Sequence, residues 1–274
     1  MPIQVQTEIK VFNQEEYHAL NRRLLGVAFS VQNDFGRFLD EALAKRELAA
    51  RCADIGILPV EREVRIRVTH ERFVKDYFMD LLLASGLMVE LKARESTVPA
   101  HRAQTLNYLF LAGMNHGTLI NLRTERVEHE FVSTRLTHER RRQFTVDDTQ
   151  WREPNPESAF LKQQMLALLH DWGAFLEVPL YRDALTFFLG GAAAVLRPVE
   201  VFSETRTLGP QTTHLLTPDT AFALSAVSEQ PEQYGSHLTC FLRHTHLLHL
   251  QWINLNHHHI EFRTLLQSHD ATSS

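Results

Sequence analysis

Apolar positions recur at helical spacing early in the chain and again near its middle, which predicts three helices at residues 14–33, 38–52 and 100–112. From Val64 to Val68, apolar and polar residues alternate as in a half-buried strand. Two more apolar strands are predicted at His116–Leu122 and Val127–Val132. With a hairpin before the third helix, the order α, α, β, β, β, α, β predicts an α/β (α+β) fold with helices packed on a mixed sheet.

The hairpin is the most informative stretch of the chain and covers residues 77–93. An apolar run and an alternating run lie on either side of the small residues Ala84-Ser85-Gly86. If these three residues form the turn, Leu83 pairs with Leu87. The pairing then fixes which face of the sheet each side chain occupies.

This register brings two carboxylates together. It sets Asp80 opposite Glu90, and facing residues on paired strands have Cβ atoms about 4.5–5.5 Å apart. Lys92 lies on the same strand face as Glu90. Because like charges this close repel, a divalent cation held by oxygen ligands explains the pair. The alternative is a solvated face with one Glu–Lys ion pair.

The helix after the hairpin presents His101, Gln104 and Tyr108 on one face, because they are spaced by three and four residues. Such residues are often ordinary, partly buried polar groups. Their interest is that they closely follow Glu90 and Lys92.

Composition limits the class of protein. A chain of 274 residues, 44% hydrophobic and 22% charged, is long enough for one large or two modest domains. Its two cysteines, Cys52 and Cys240, suggest a reducing compartment. Because no signal pattern and no apolar run of about 20 residues occurs, we expect a cytoplasmic protein without a membrane segment. The net charge of −5 argues against a protein that coats nucleic acid by charge alone.

Several short motifs also occur in the order found in a known family. They are an opening helix at 24–36, a Gly-to-Glu motif at 36–41, Tyr-Phe-Met-Asp-Leu-Leu at 77–82, Val-Glu-Leu-Lys-Ala at 89–93, a Gln-x3-Tyr element at 103–109 and a strand at 117–121. From Leu24 to about Leu122, the chain thereby resembles the GxxExxY protein family, a branch of the PD-(D/E)xK nuclease superfamily with RecB-like downstream elements.

The resemblance implies a metal-dependent nuclease that acts on nucleic acid, with DNA as the expected partner. Asp80 and Glu90, with the backbone carbonyl of Leu91, would hold Mg²⁺, for which Mn²⁺ could substitute. The other implied site residues are Lys92, which orients water or steadies charge, Gln104 and Tyr108, which position Lys92 or the substrate, and Glu41, which extends the metal shell. Candidate phosphate contacts are Arg65, Arg67, Arg94 and Arg102.

The chain also departs from the family pattern. Ala44 stands where the naming motif ends in Tyr, and Ser30-Val31-Gln32 replaces an acidic-Val-His sequence. The missing Tyr at Ala44 and the weak overall basicity favour an alternative, a nuclease-fold binding or regulatory protein without useful turnover, within a defence or repair assembly. A third hypothesis is recognition of a nucleotide-like small ligand.

The second half of the chain looks like a degenerate repeat of the first. Adding 133 to a residue number lays Ile120-Asn121-Leu122 on Ile253-Asn254-Leu255 without a gap. The same offset puts Thr213, Ala223, Ser225, His237 and Phe241 at the positions of Asp80, Glu90, Lys92, Gln104 and Tyr108. We therefore expect a nuclease-like domain at 1–142, a linker at 143–158 and a catalytically inactive copy at 159–274, an intrachain pseudo-dimer.

Overall fold

The computed structural model describes residues 2–96 and 98–267. The chain divides between Arg140 and Arg141 into two compact units, called unit 1 and unit 2 below. Each unit is a mixed α/β structure built on one six-stranded sheet.

Unit 1 begins with a short strand and two helices, and its sheet follows. Its elements are β1 (Ile3–Val5), α1 (Gln14–Phe35), α2 (Glu41–Asp54), β2 (Val60–His70), β3 (Phe73–Leu83), β4 (Leu87–Lys92), α3 (Pro99–Ala112), β5 (His116–Asn121) and β6 (Glu128–Ser133), before the short α4 (His138–Arg141). The strands lie in the order β1-β2-β3-β4-β5-β6. Among the described strands of unit 1, only β4 and β5 pair in parallel, because α3 forms the crossover between them.

The predicted hairpin register is confirmed, because Leu83 pairs with Leu87 and Leu81 pairs with Val89. The turn begins with Ala84 and Ser85, whose φ angles of 50° and 58° lie in the left-handed region. Every second residue of β4 then faces α1 and α2 in the core, as the alternation predicted. The apolar residues on this face are Leu81, Leu83, Leu87, Val89 and Leu91.

The two helices that cover this face begin and end at recognisable signals. The side chain of Asn13 accepts a hydrogen bond from the Glu16 amide, and the Glu16 carboxylate accepts one from the Asn13 amide. Gly36, with φ 68°, ends α1. The second helix begins at Glu41 rather than at the predicted residue 38, because Asp40 keeps an extended N-cap conformation. Glu41 therefore occupies the first turn of α2.

Unit 2 repeats this order of elements, with one short helix, α7, added before its hairpin strands. It contains β7 (Thr145–Gln150), α5 (Pro156–Trp172), α6 (Val178–Phe188), α7 (Ala192–Val195), β8 (Leu196–Phe202), β9 (Thr207–Thr217), β10 (Thr220–Ser225), α8 (Pro231–Arg243), β11 (His249–Asn256) and β12 (His259–Leu266). Its sheet has the order β7-β12-β11-β10-β9-β8, and β10 pairs with β11 in parallel.

The pairing register of the two units also agrees at an offset of 133. Met88 pairs with Gly117, and Ala221 pairs with Leu250. The Asn121 side chain bonds both backbone groups of Arg94, at 2.9 and 3.2 Å. The Asn254 side chain does the same with Val227, at 2.8 and 2.9 Å. The units differ at one edge, where β1 pairs with β2 but β7 pairs with β12.

The predicted linker at residues 143–158 is wrong as a structural description. Strand β7 lies within it and pairs in parallel with β12. Helix α5 also begins there, since the Asn155 side chain accepts a hydrogen bond from the Ser158 amide and Pro156 fits the first helical turn. In the part of the chain that the structure describes, no helix is long and apolar enough to cross a bilayer.

Candidate metal centre

Asp80 lies where β3 and β4 separate and α2 begins. It is one residue beyond the last β3–β4 pair, Leu81 with Val89, so it does not face Glu90 within the ladder as predicted. Instead its Oδ2 accepts a hydrogen bond of 2.9 Å from the Leu91 amide. Asp80 is only 6% exposed. The hydrogen bond holds its carboxylate where the two strands begin to separate.

Glu90 is the more deeply buried of the two carboxylates, at 1% exposed. Its Oε1 accepts a hydrogen bond of 2.6 Å from the Lys92 ammonium. Its Oε2 is buried and has no hydrogen-bond partner. Burial and the negative charge of Asp80 raise the pKa of Glu90 to about 7, although Lys92 and Lys45 act in the opposite direction.

These observations fit a divalent cation. A buried carboxylate oxygen without a partner carries a desolvation penalty that a cation removes, and Mg²⁺ prefers oxygen ligands. Asp80 is close enough for its charge to act on Glu90. Among the described residues, no group of three or more His, Cys, Asp or Glu side chains has a metal-binding arrangement. A site here therefore has two acidic side chains and needs backbone or solvent oxygens to complete it.

Lys45, which the sequence analysis did not single out, completes the cluster. Its ammonium is hydrogen-bonded to Asp80 Oδ1 and lies 3.5 Å from Glu41 Oε1 and 3.6 Å from Glu63 Oε1. Burial alone would lower the pKa of Lys45, but the hydrogen bond and charge of Asp80 raise it, with help from Glu63 and Glu41. The available signal was the spacing of four residues from Glu41, which places both on one face of α2.

Glu41 connects α2 to the end of β4. Its Oε2 accepts a hydrogen bond of 3.2 Å from the Ala93 amide, directly after Lys92. A cavity of about 700 Å³ opens beside this contact, lined by Glu41, Ala42, Lys45, Arg46, Arg62, Glu63 and Asp80. The predicted position of Glu41 near the carboxylate pair thus has a structural basis, and the cavity gives Asp80 access to a ligand.

Helix α3 places Gln104 and Tyr108 together. The Gln104 amide donates a hydrogen bond of 2.9 Å to the Tyr108 hydroxyl, but within the described residues it makes none to Lys92. His101, on the same helix, is close enough for the charges of Lys92 and Glu41 to act on it. Burial and the charges of Lys92 and Arg94 lower the pKa of His101, and Glu41 opposes them.

The four arginines proposed as phosphate contacts do not form one group. Arg67 makes two hydrogen bonds to Asp76, at 2.8 and 2.7 Å, and Arg102 pairs with Glu130 at 2.7 Å. Because carboxylates already occupy these two guanidinium groups, they are poor candidates for phosphate binding. Arg65 and Arg94 make no ion pair among the described residues.

At the equivalent positions of unit 2, the ionisable groups are replaced by neutral ones. Thr213, Ala223 and Ser225 stand for Asp80, Glu90 and Lys92 at the offset of 133. The Ser225 hydroxyl is hydrogen-bonded to Asn254 and to the Trp252 indole, both at 2.8 Å. This place in unit 2 is therefore part of a satisfied polar and aromatic core.

A family model matches part of the chain. The PD-(D/E)XK nuclease superfamily matches residues 18–134. No curated protein and no solved structure shows significant similarity to the chain. The matched segment contains Asp80, Glu90 and Lys92, and it ends before unit 2.

The match gives the carboxylate pair a chemical context. PD-(D/E)XK nucleases typically use divalent metal ions, so a superfamily segment suggests nuclease function. The (D/E)XK of the family's name is met in residue type by Glu90-Leu91-Lys92, and the charge of Asp80 acts on Glu90. Lys45 pairs with Asp80 and Lys92 pairs with Glu90, so each of the two buried carboxylates has its own ammonium partner.

Proposed function

We propose that unit 1 is a metal-dependent nuclease that hydrolyses phosphodiester bonds in nucleic acid, with DNA as the expected substrate. The observation that carries the proposal is the buried, unpartnered Oε2 of Glu90 beside the carboxylate of Asp80. Mg²⁺, with Mn²⁺ as a substitute, is the ion whose ligand preference suits this oxygen-rich site. The Leu91 carbonyl is a proposed third ligand.

The chemistry of this site divides between the ion and the side chains. Asp80 and Glu90 would hold a divalent ion, which would supply polarisation of the scissile phosphate and a lower pKa for an attacking water. Lys92, fixed by its hydrogen bond to Glu90, presents an ammonium that stabilises charge on the phosphoryl oxygens. Glu41 holds the end of β4 against α2 and extends the acidic shell. Gln104 and Tyr108, hydrogen-bonded to each other on α3, would position Lys92 or the substrate.

A cleavage assay with matched variants tests the proposal. We expect wild-type protein with Mg²⁺ or Mn²⁺ to cut labelled DNA or RNA, and Asp80→Asn or Glu90→Gln to lower the rate by about 100-fold or more. Asp76→Asn is the matched control, because Asp76 lies on the same strand but pairs with Arg67. Circular dichroism should show each variant folded. Cleavage that survives both site variants would contradict the assignment.

Unit 2 is proposed to be a degenerate, inactive copy of the same fold, so that units 1 and 2 are duplicated domains and form an intrachain pseudo-dimer. The shared order of elements, the shared register and the matching Asn121 and Asn254 contacts support duplication. Replacement of Asp80, Glu90 and Lys92 by Thr213, Ala223 and Ser225 supports inactivity. The proposal predicts that Asp80→Asn alone removes all metal-dependent cleavage by the full chain.

One observation favours a second candidate function. The Lys45 ammonium already neutralises Asp80, so the cluster has a cation of its own. A nuclease-fold binding or regulatory protein without turnover, in a defence or repair assembly, would keep such an ion pair. This candidate predicts that wild-type protein binds nucleic acid but cleaves neither DNA nor RNA, single- or double-stranded, with either metal.

A further inference from the structure

We propose that Phe38, with Arg37 and Arg123, forms a stacking site for one base of single-stranded nucleic acid beside the candidate metal centre. The inference rests on the proposed function, which it extends by naming the substrate class. Phe38 is 72% exposed, more than any other large hydrophobic side chain in the described part of the chain. A single exposed aromatic residue is common, so the surroundings of Phe38 decide whether its ring is a binding site.

Two guanidinium groups lie beside the ring. The Arg37 and Arg123 guanidinium carbons are 5.2 and 5.9 Å from the Phe38 centroid. Among the described residues, neither side chain forms an ion pair with a carboxylate. Their positive charges thus remain available to phosphates, and the exposure of the ring leaves its surface open to a base. Aromatic rings flanked by cations are typical of single-strand binding sites, where bases stack and the backbone meets positive charge.

The ring also borders an open cavity of about 660 Å³, lined by Arg37, Phe38, Glu95 and residues 123–128. This volume is within the range of ligand sites. Glu95, Glu125 and Glu128 line it together with Arg37, Arg123 and Arg126. The carboxylates repel a long phosphate backbone, so the cavity suits one or two nucleotides next to the arginines rather than an extended duplex.

Chain connections place this cavity next to the candidate metal centre. Phe38 precedes Glu41 by three residues, and Glu41 bonds the Ala93 amide that follows Lys92. On the other side, Asn121 bonds the backbone of Arg94, and Arg123 is two residues further along. In this proposal, a strand whose phosphate lies at Lys92 extends toward Phe38. A base paired within a duplex has no free face to offer, so the site selects single strands or overhangs.

Fluorescence anisotropy in EDTA, where a metal-dependent nuclease does not cut, tests the inference. The probes are labelled oligo(dT), oligo(U) and a blunt DNA duplex of the same length. Because stacking acts on the base face, we expect Phe38→Ala to weaken binding of both single strands by about 5- to 100-fold, with little change for the duplex. Whether the wild type binds oligo(dT) or oligo(U) more tightly shows whether the site prefers DNA or RNA.

Two further variants sharpen the test. Phe38→Trp should retain affinity, and its added tryptophan fluorescence should be quenched by the bound oligonucleotide. Phe35→Ala is the matched control, since Phe35 is 50% exposed and 5.4 Å from Arg51, whose charge is paired with Asp34 and Glu47. We expect it to bind as the wild type does.

The outcomes separate this inference from the proposed function. Wild-type affinity in Phe38→Ala, or an equal loss in Phe35→Ala, overturns the stacking site. If the wild type cleaves with metal but Phe38→Ala keeps its affinity for single strands, the inference fails and the nuclease proposal stands. If the wild type neither binds oligonucleotides nor cleaves them with metal, both fail.

Discussion

Replacing Lys45 with methionine tests whether the Lys45 ammonium and a divalent metal ion compete for the carboxylate of Asp80. Methionine keeps much of the side-chain length but removes the charge and the donors. The ammonium that is lost bonds Asp80 and lies 3.5 Å from Glu41 and 3.6 Å from Glu63. In the metal-free protein, Lys45→Met therefore leaves the Asp80 carboxylate with only the Leu91 amide as an observed donor.

The contact with Asp80 sets the size of the effect, because the Lys45 and Asp80 side chains are 16% and 8% exposed, whereas Glu63 is 59% exposed and its contact is screened. A hydrogen bond to a charged group contributes about 1.5–3 kcal/mol. Removing it should lower the free energy of unfolding in EDTA by that amount. An ion that binds Asp80 no longer competes with the ammonium, so Mn²⁺ affinity should rise by about 10- to 150-fold.

Two assays check both signs of this effect. Urea unfolding in EDTA measures the loss of stability, and isothermal titration with Mn²⁺ measures the gain in affinity. Lys162→Met is the matched control, because Lys162 pairs with Asp148 at 2.6 Å in unit 2 and should leave Mn²⁺ affinity unchanged. If Lys45→Met binds Mn²⁺ no more tightly than the wild type, Lys45 does not compete with an ion for Asp80.

Other predictions concern stability. In EDTA, the pKa of about 7 for Glu90, against an ordinary 4.5, means that the folded state holds this proton more tightly than the unfolded state. The contribution of Glu90 to stability is therefore greatest below pH 4.5 and falls as the pH rises to 7. In urea titrations, the free energy of unfolding of Glu90→Gln should gain up to about 3 kcal/mol over that of the wild type across this pH window. A difference between the two proteins that does not change with pH would contradict the pKa shift. A Cβ on Gly86 would lie 2.7 Å from Phe12 Cε2 and closer still to the Lys10 carbonyl, so Gly86→Ala should destabilise by about 1–3 kcal/mol. Gly26→Ala, within α1 and with nothing inside 4 Å, should instead stabilise by about 0.5–1 kcal/mol, and a loss in thermal melts would refute this.

The hairpin was predictable because the alternation of its second strand and the position of its turn specify the same pairing. Alternation from Leu87 to Lys92 and a break of small residues specify one register, and any slip would turn Glu90 into the core that faces α1 and α2. The three helices of unit 1 were also predictable from apolar spacing, since Asn13, Gly36 and Gly113 mark their ends. The parallel pairing of β4 with β5 follows from α3 as a crossover.

Other strands carried too little pattern. β1 has three residues, too few to show a period, and β7 reads Thr-Val-Asp-Asp-Thr-Gln with nearly every residue exposed at the sheet edge. β2 is longer than predicted because Glu63, with φ 51°, interrupts its alternation between the pairs Arg62–Leu81 and Val64–Met79. Edge pairing and bulges depend on neighbouring strands, which local sequence does not reveal.

In the candidate site, the carboxylates and Lys92 were predictable, but the contacts of Asp80 were not. Register arithmetic sets Asp80 opposite Glu90, yet the strands separate there and its carboxylate bonds the Leu91 amide instead. Lys45 was missed because its role depends on the packing of α2 over β3. The spacing of four residues from Glu41 was visible in sequence but is common on solvated helices.

Diffraction at the manganese absorption edge from crystals soaked in Mn²⁺ tests the central claim most directly. We predict one anomalous peak within bonding distance of Asp80 and of Glu90 Oε2, the buried oxygen that has no hydrogen-bond partner. Saturating Mn²⁺ with no peak at these two carboxylates, and Lys45 still bonded to Asp80, would contradict a metal centre in this protein.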